Sequence, residues 1–183
     1  ADTEAIVRHA GDKAVAEMTT RIPHPFAVED AQGFVLQARR ANAEGRALTM
    51  AITPRAKPGT VIGIVGIEAR EDRPELGYWI APDLWGGGYA TEAARGMIDA
   101  FFGYAGGVEL AATVRVINPA SRCVLEKCGF VQSGSGLRPF PARGGIFPVD
   151  HFRLERRAWA SLNSRRLTGY VPQDRHDDPS LSL

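Results

Sequence analysis

Three consecutive glycines, Gly86, Gly87 and Gly88, constrain the fold of this chain more than any other local feature. They separate a strand-like segment that ends near Ile80 from a strongly helical segment that begins near Tyr89. Glycine is unfavourable inside strands and helices, so this triplet indicates a sharp turn or a close approach of the backbone to another molecule. A strand, a glycine loop and a helix in this order also leave unpaired N–H groups at the helix start, where anions bind.

Two widespread phosphate-binding motifs do not fit this loop. A P-loop needs Lys followed by Ser or Thr after its glycines, and no such pair follows here. The dinucleotide fingerprint GxGxxG, started at Gly86, would need its last glycine where Thr91 stands. The preceding strands are also joined like a hairpin rather than through a helix. The glycines alone are therefore equally compatible with a ligand site and with a flexible turn.

The order of the remaining segments predicts the fold class. A short extended start is predicted at 6–7. An apolar period of about 3.6 residues predicts four helices: 11–19, 28–42, one that runs from the glycines to about 103, and one that runs from 118 to about 129. The predicted strands, rich in β-branched and apolar residues, are 47–52, 60–68, 75–80, 110–116, 130–132 and 149–154. Antiparallel strands come first and strand–helix alternation follows, which predicts an α/β (mixed α+β) fold in which helices pack on a mixed sheet.

Length and charge limit the classes of protein that remain. With 183 residues, of which 44% are hydrophobic, we expect a single domain over 1–167 and a loosely ordered tail over 168–183. A net charge of +1 predicts no nucleic-acid or membrane partner. No long apolar run or secretory signal pattern is present, so we expect a soluble, cytoplasmic protein. Cys123 and Cys128 fit neither a redox pair nor a zinc clip, so we expect two buried, reduced thiols and no metal.

Three segments together resemble the GNAT-family N-acetyltransferases, and more narrowly their RimJ/RimL branch. Residues 75–93 resemble the acetyl-CoA-binding motif, in which Gln/Arg-x-x-Gly-x-Gly/Ala falls on Trp85 to Ala90 and Trp replaces the first residue, as is common in that branch. Residues 118–130 resemble the second motif of the branch, and 22–26 resemble its acceptor-side loop. The N-terminal strand of the family is missing or eroded, since the chain offers only Ala-Ile-Val-Arg at 5–8.

The resemblance implies the GNAT fold, a mostly antiparallel mixed sheet that splays in the middle and is flanked by helices. It implies acetyl-CoA as co-substrate, with the pantetheine arm paired to the backbone of strand 75–80 and the pyrophosphate on the glycine loop. The residues expected to bind acetyl-CoA are Tyr78, Trp79, Ile80, Trp85, Gly86, Gly87, Gly88, Tyr89, Ala90, Thr91, Asn118 and Ser121.

The catalytic candidates follow from the chemistry of moving an acyl group from a thioester to an amine. Ser121, near a helix start, is our candidate acid for the leaving thiolate, because the matching serine of the branch lies near the sulfur. Glu75 opens the strand beside the cleft and is our candidate base, with Glu68 and His151 as weaker ones. Each also has a plain structural interpretation, since Glu75 would equally suit an exposed strand end. Asn118 is expected to cap the helix in any case.

The expected reaction is acetylation of a primary amine, and the basicity of the amine bears on which acceptor is expected. A protein α-amine, with a pKa of about 7.7–8.0, is roughly 10% neutral at pH 7, whereas a lysine amine is under about 0.1% neutral. We therefore expect a protein N-terminal α-amine, as in the ribosomal-protein alanine acetyltransferases. A small-molecule amine and a non-catalytic acyl-CoA sensor are the alternatives. His24 and Phe26 are expected to contact the acceptor, and the protein is expected to be a monomer or homodimer.

Overall fold

Six strands form one sheet in the described residues, 2–70 and 73–168 of a computed structural model. The strands are β1 (Ala47–Ile52), β2 (Gly63–Arg70), β3 (Arg73–Ile80), β4 (Glu109–Arg115), β5 (Val131–Phe140) and β6 (Gly145–Glu155). The helices are α1 (Asp2–Ala10), α2 (Lys13–Met18), α3 (Val28–Ala43), α4 (Tyr89–Gly103), α5 (Pro119–Lys127) and α6 (Arg156–Thr168). The strand order is β1-β2-β3-β4-β6-β5.

The sheet opens between its two central strands. β1, β2 and β3 form an antiparallel meander, and β4, β6 and β5 form a second antiparallel group. The two groups meet only through the parallel pairing of β3 with β4, whose register is a single match of Glu75 to Ala111. Beyond this match the two strands diverge towards their C-terminal ends. The predicted α/β class and the splayed, mostly antiparallel sheet are confirmed.

Each face of the sheet packs against its own set of helices, as the alternation of strand side chains requires. Leu76 of β3 points into a core with Met97 of α4 and Leu125 of α5, which we call the α4/α5 face. Trp79, three residues further along β3, packs on the other side, with Ile6 of α1 and other residues of α1 and α3, which we call the α1/α3 face. The gap between β3 and β4 therefore connects the two helical layers that cover the opposite faces of the sheet.

The N-terminal segment differs from the prediction. The extended start expected at 6–7 is wrong, because these residues belong to α1, where Ile6 and Ala10 lie one helical turn apart and are both buried. Within the described residues, no strand precedes β1. The first helix after it is also shorter than predicted, α2 covering Lys13–Met18 rather than 11–19.

The C-terminal strands and one cysteine also required correction. β5 extends to Phe140, far beyond the predicted 130–132, because the glycines at 134 and 136 and the proline at 139 obscure its strand pattern. Cys128 is buried as expected, but Cys123 is exposed, because it lies about 200° around α5 from Leu125 and faces away from the core. The tail expected to be loose lies, from 169 onwards, outside the described residues.

None of the helices in the described part of the chain is both long and apolar enough to span a bilayer. The same residues contain no group of three or more His, Cys, Asp and Glu side chains arranged to bind a metal ion.

Candidate functional site

A cleft of about 1500 Å³ occupies the gap between β3 and β4 and reaches both faces of the sheet. Its walls include the glycine loop and the start of α5 on the α4/α5 face, and the 19–23 segment on the α1/α3 face. Ligand pockets usually measure about 300–1,000 Å³, so this cleft has room for an extended ligand and a second molecule.

The glycine loop presents the positive end of α4 to this cleft. Gly86 and Gly88 have φ of 79° and 84°, left-handed values that favour glycine, and Gly88 is the N-cap of α4 without a side-chain cap. The first hydrogen bond into the helix runs from the N–H of Glu92 to the carbonyl of Gly88, at 3.0 Å. The N–H groups of the first three helical residues, 89–91, therefore have no acceptor within the helix. Such an end binds phosphate-like anions.

Trp85 fixes this loop to the end of β3. Its indole Nε1 donates to the carbonyl oxygen of Ile80, at 2.8 Å. Ala81 donates its N–H to the carbonyl of Ile62 next to β2, so the alternation of an antiparallel ladder directs the backbone of Trp79 towards β2 and that of Tyr78 and Ile80 towards the gap. Because Trp85 already engages the Ile80 carbonyl, the backbone of Tyr78 is the main pairing site at the gap.

The side chain of Tyr78 also reaches the start of α5. Its hydroxyl lies 2.9 Å from Ser121 Oγ and 3.1 Å from the Ser121 carbonyl oxygen. Asn118 Oδ1 accepts the N–H of Ser121 at 3.0 Å, which confirms the predicted helix cap. Burial raises the pKa of Tyr78 above the usual value of a phenol, although the hydrogen bond with Ser121 opposes this rise. Tyr78 therefore keeps its proton at neutral pH.

A buried carboxylate anchors the residue that follows Ser121. Asp150 of β6 is 4% exposed and accepts hydrogen bonds from the guanidinium of Arg122, from Gln132 Nε2 at 3.0 Å and from Ser135 Oγ at 2.7 Å. A buried carboxylate is stable only with such partners. This cluster attaches the first turns of α5, including Ser121, to strands β5 and β6.

Two ion pairs occupy the α1/α3 face at the closed end of the gap. Glu68 and Glu75 lie directly opposite each other on β2 and β3. Arg138 of β5 donates to both oxygens of Glu75, at 2.6 and 2.9 Å, and the two side chains are 16% and 12% exposed. Arg21 pairs with Glu68 in a more exposed position. Both predicted carboxylates thus line the cleft already paired with arginines.

The remaining predicted residues separate into those at the cleft and those away from it. Phe26 lines the cleft. His24 is exposed and its Nδ1 lies 2.9 Å from the carbonyl oxygen of Gly11, so it attaches its loop to the α1–α2 turn rather than facing the cleft. His151 projects from β6 beside Gly136 and is not part of the cleft wall.

Sequence reasoning missed three side chains at this site. Tyr78 was considered only for its backbone, although a tyrosine on the inner side of a strand needs a partner for its hydroxyl. Asp150 had a usable signal, a carboxylate in alternation with the apolar Phe152 and Leu154 of the strand 149–154, since such a group is rarely buried unless paired. Arg138 had no local signal, because its partner Glu75 is distant in sequence.

A family model described as acetyltransferase (GNAT) domain matches residues 1–131. FsC-acetyl coenzyme A-N(2)-transacetylase of Aspergillus fumigatus is 43% identical over 101 residues, which cover 54% of this chain and 43% of that protein. Uncharacterized N-acetyltransferase p20 of Bacillus licheniformis is 27% identical, covering 87% of this chain and 90% of that protein. The matches to the first curated relatives span about half of those relatives' length.

Among solved structures, that of Mycobacterium smegmatis RimJ in complex with CoA-disulfide is similar to this one, with a TM-score of 0.72 and 25% sequence identity. The likeness covers 90% of this chain and 85% of the RimJ chain.

Proposed function

This chain belongs to the acetyltransferase (GNAT) family, and we propose from this premise that it transfers the acetyl group of acetyl-CoA to a primary amine. Members of the family use acetyl-CoA as co-substrate. One observation carries the proposal: a single gap in the sheet exposes both an uncapped helix start suited to phosphate and a Ser–Tyr pair suited to a leaving thiolate. The likeness to RimJ supports a place near the RimJ/RimL branch.

The residues of the gap fit the coenzyme from end to end. We assign the pyrophosphate to the N–H groups at the start of α4, where the left-handed Gly88 leaves no Cβ between ligand and backbone. We assign the pantetheine to the gap edge of β3, where it would pair with the backbone of Tyr78 in place of a missing strand partner. This path brings the thioester to the start of α5.

Ser121 and Tyr78 act on the leaving group in the proposed reaction. The amine nitrogen attacks the thioester carbon, the C–N bond forms, and the C–S bond breaks with its electron pair on sulfur. The Ser121 hydroxyl donates its proton to that thiolate and regains the proton that the attacking nitrogen loses as it becomes an amide, and we assign the Tyr78 hydroxyl, 2.9 Å away, as a hydrogen-bond donor to Ser121 Oγ. Because Tyr78 retains its proton at neutral pH, it is able to donate to Ser121 Oγ or to the Ser121 carbonyl oxygen.

The acceptor that we favour is a protein N-terminal α-amine. Glu75 lines the cleft, and we assign to it the role of receiving the ammonium proton through a water molecule, as a weak base because Arg138 already engages both of its oxygens. An α-amine that is roughly 10% neutral at pH 7 needs no stronger base, whereas a lysine amine would.

The test measures free thiol released from acetyl-CoA in the presence of three acceptor groups: peptides with free N-termini, N-terminally blocked peptides that contain lysine, and small amines including polyamines. We expect the unblocked peptides to react fastest. Equal rates for blocked lysine peptides would overturn the N-terminal assignment, and release only with small amines would support the small-molecule alternative.

The pairing of Glu75 with Arg138 also favours a second candidate function, an acyl-CoA-binding sensor without an acceptor. If this chain were such a sensor, the ion pair between Glu75 and Arg138 would close the acceptor side permanently. Tight binding of acetyl-CoA with no acceptor-dependent thiol release from any of the three groups would support the sensor.

A further inference from the structure

Among the described residues, Arg115 is a cation on the acceptor side of the cleft without a carboxylate partner. It is the last residue of β4 and lines the cleft. One of its N–H groups donates from Nη1 to the carbonyl oxygen of Glu17, at 2.8 Å. Its buried Nε has no hydrogen-bond partner, and no carboxylate of the described residues lies within ion-pair distance of it.

Two aromatic rings hold this guanidinium in place. The Cζ atom of Arg115 lies 4.5 Å from the centre of the Phe147 ring and 5.6 Å from that of Phe140. Such stacking orients a guanidinium while leaving its edge available, and a stacked guanidinium binds carboxylates through paired N–H donors. The rings fix the position of the charge without neutralising it.

The strand register places this cation at the level of Tyr78 along the sheet. Ala112 and Val114 of β4 point into the core of the α4/α5 face, so Arg115 projects to the α1/α3 face, the same side as Glu75. Glu75 matches Ala111, Tyr78 lies three residues beyond Glu75, and Arg115 lies four residues beyond Ala111. Along the strand direction, Arg115 is therefore only about one residue, roughly 3.3 Å, past Tyr78.

The ion pairs at the closed end of the gap favour an anionic rather than a polycationic acceptor there. The two carboxylates at the closed end of the gap, Glu68 and Glu75, are each paired with an arginine. A second ammonium group on the acceptor would therefore find no unneutralised carboxylate there, whereas an acidic group would find Arg115.

We propose that Arg115 binds a carboxylate carried by the acceptor molecule itself, close to the amine that is acetylated. This inference rests on the proposed function and specifies the acceptor class. The carboxylate has two sources: an acidic side chain next to a peptide N-terminus, or the acid group of a small amino acid.

Two matched acceptor pairs test the proposal and distinguish the sources. The first pair is a peptide that begins Ala-Asp and the same peptide beginning Ala-Asn. The second pair is β-alanine and its amide. Thiol release at saturating acetyl-CoA gives kcat and KM for each, in wild type, Arg115→Gln and Arg143→Gln. Arg143 is the control, because it also donates to a backbone carbonyl, that of Ile22, and has an unpartnered Nε, but does not line the cleft.

We expect the wild type to prefer the acid member of one pair by about 10- to 150-fold in kcat/KM, the effect of a hydrogen bond to a charged group. Arg115→Gln should raise KM for that acid and remove the preference, while Arg143→Gln should keep it. Three results would overturn the proposal: no preference in either pair, equal slowing of both members by Arg115→Gln, or the same loss of preference in both variants.

An equilibrium measurement separates this proposal from the proposed function. The protein loaded with CoA is titrated calorimetrically with N-acetyl-β-alanine, with the acetylated Ala-Asp peptide and with their amides. Binding of an acid that Arg115→Gln removes would support the carboxylate site even if no acceptor turned over. If neither acid binds better than its amide, the site is absent, whatever the enzyme activity.

Discussion

The two sides of the cleft offer different chemical groups, backbone atoms on one side and charged side chains on the other. The side that we assign to the coenzyme, formed by the glycine loop and the gap edge of β3, offers mainly backbone groups, held by a left-handed glycine at 88 and by the indole of Trp85. The acceptor side, formed by the α1/α3 face at the gap, offers charged side chains from distant segments: Arg138 pairs with Glu75, and Arg115 stacks on two rings. A backbone site depends on local conformation, whereas a side-chain site depends on how distant segments pack.

The first test of this comparison places a carboxylate in the glycine loop, on the side built from backbone groups. We expect Gly88→Glu to lower the affinity for acetyl-CoA by at least roughly 100-fold, about 2.7 kcal/mol, because it puts a negative charge where the pyrophosphate binds and disfavours the left-handed backbone. Calorimetric titration with acetyl-CoA measures the change.

Two controls separate the causes of that loss. Gly88→Ala carries the backbone strain without the charge. Gly96→Glu adds the same carboxylate to α4 at a position with open space and no left-handed φ, and it should bind acetyl-CoA normally. Unchanged affinity in a folded Gly88→Glu protein would remove the coenzyme assignment.

The second test removes one partner of the buried ion pair on the acceptor side. Glu75→Ala leaves Arg138 without its carboxylate in a place where both side chains are largely buried, so we expect a loss of about 3–5 kcal/mol in the free energy of unfolding. Glu68→Ala is the matched variant, since the pair of Glu68 with Arg21 is more exposed and should cost at most about 1 kcal/mol. Urea unfolding measures both. Equal losses would mean that burial does not distinguish the two pairs.

The same contrast explains what the sequence could predict. The glycine loop, the cap of α5 by Asn118 and the positions of most strands along the chain depend on neighbouring residues, so local patterns predicted them. The pairing of Arg138 with Glu75 joins segments far apart in the chain, and no spacing rule indicates it. β5 shows the same limit within one element, because its glycines and proline are tolerated by pairing with β6 rather than by intrinsic preference.

A third test concerns Ser121, at the point where the two sides meet. We expect Ser121→Ala to lower kcat by about 10- to 150-fold, because a hydrogen bond to the developing thiolate is worth about 1.5–3 kcal/mol, while acetyl-CoA affinity stays nearly unchanged. Asn118→Ala is the control: it removes the cap and should cost about 1 kcal/mol of stability instead. A wild-type rate for Ser121→Ala, under conditions where chemistry limits turnover, would reduce the serine to a residue of the helix start.

The smallest expected effect concerns the pH dependence of stability contributed by Tyr78. Burial raises its pKa in the folded protein above the value of about 10 that a tyrosine has in an unfolded chain. The unfolded state therefore releases this proton first as the pH rises. The stability due to Tyr78 is fully present below about pH 10 and is lost above it, by up to about 1.4 kcal/mol per pH unit. At pH 7, Tyr78→Phe should be about 1 kcal/mol less stable than wild type, because it loses the hydrogen bond to Ser121.

That difference between Tyr78→Phe and wild type should shrink above pH 10 and vanish near pH 11, since phenylalanine has no proton to release. Urea unfolding between pH 7 and 11 measures it. Tyr104→Phe is the matched variant, because the Tyr104 side chain is 93% exposed and its hydroxyl meets water in both states. If the difference for Tyr78→Phe stayed constant across this range, the hydroxyl at the junction of the two sides would be hydrated rather than held by Ser121. The proposed donation from Tyr78 to Ser121 would then fail with it, and the proton for the thiolate would have to be relayed by water.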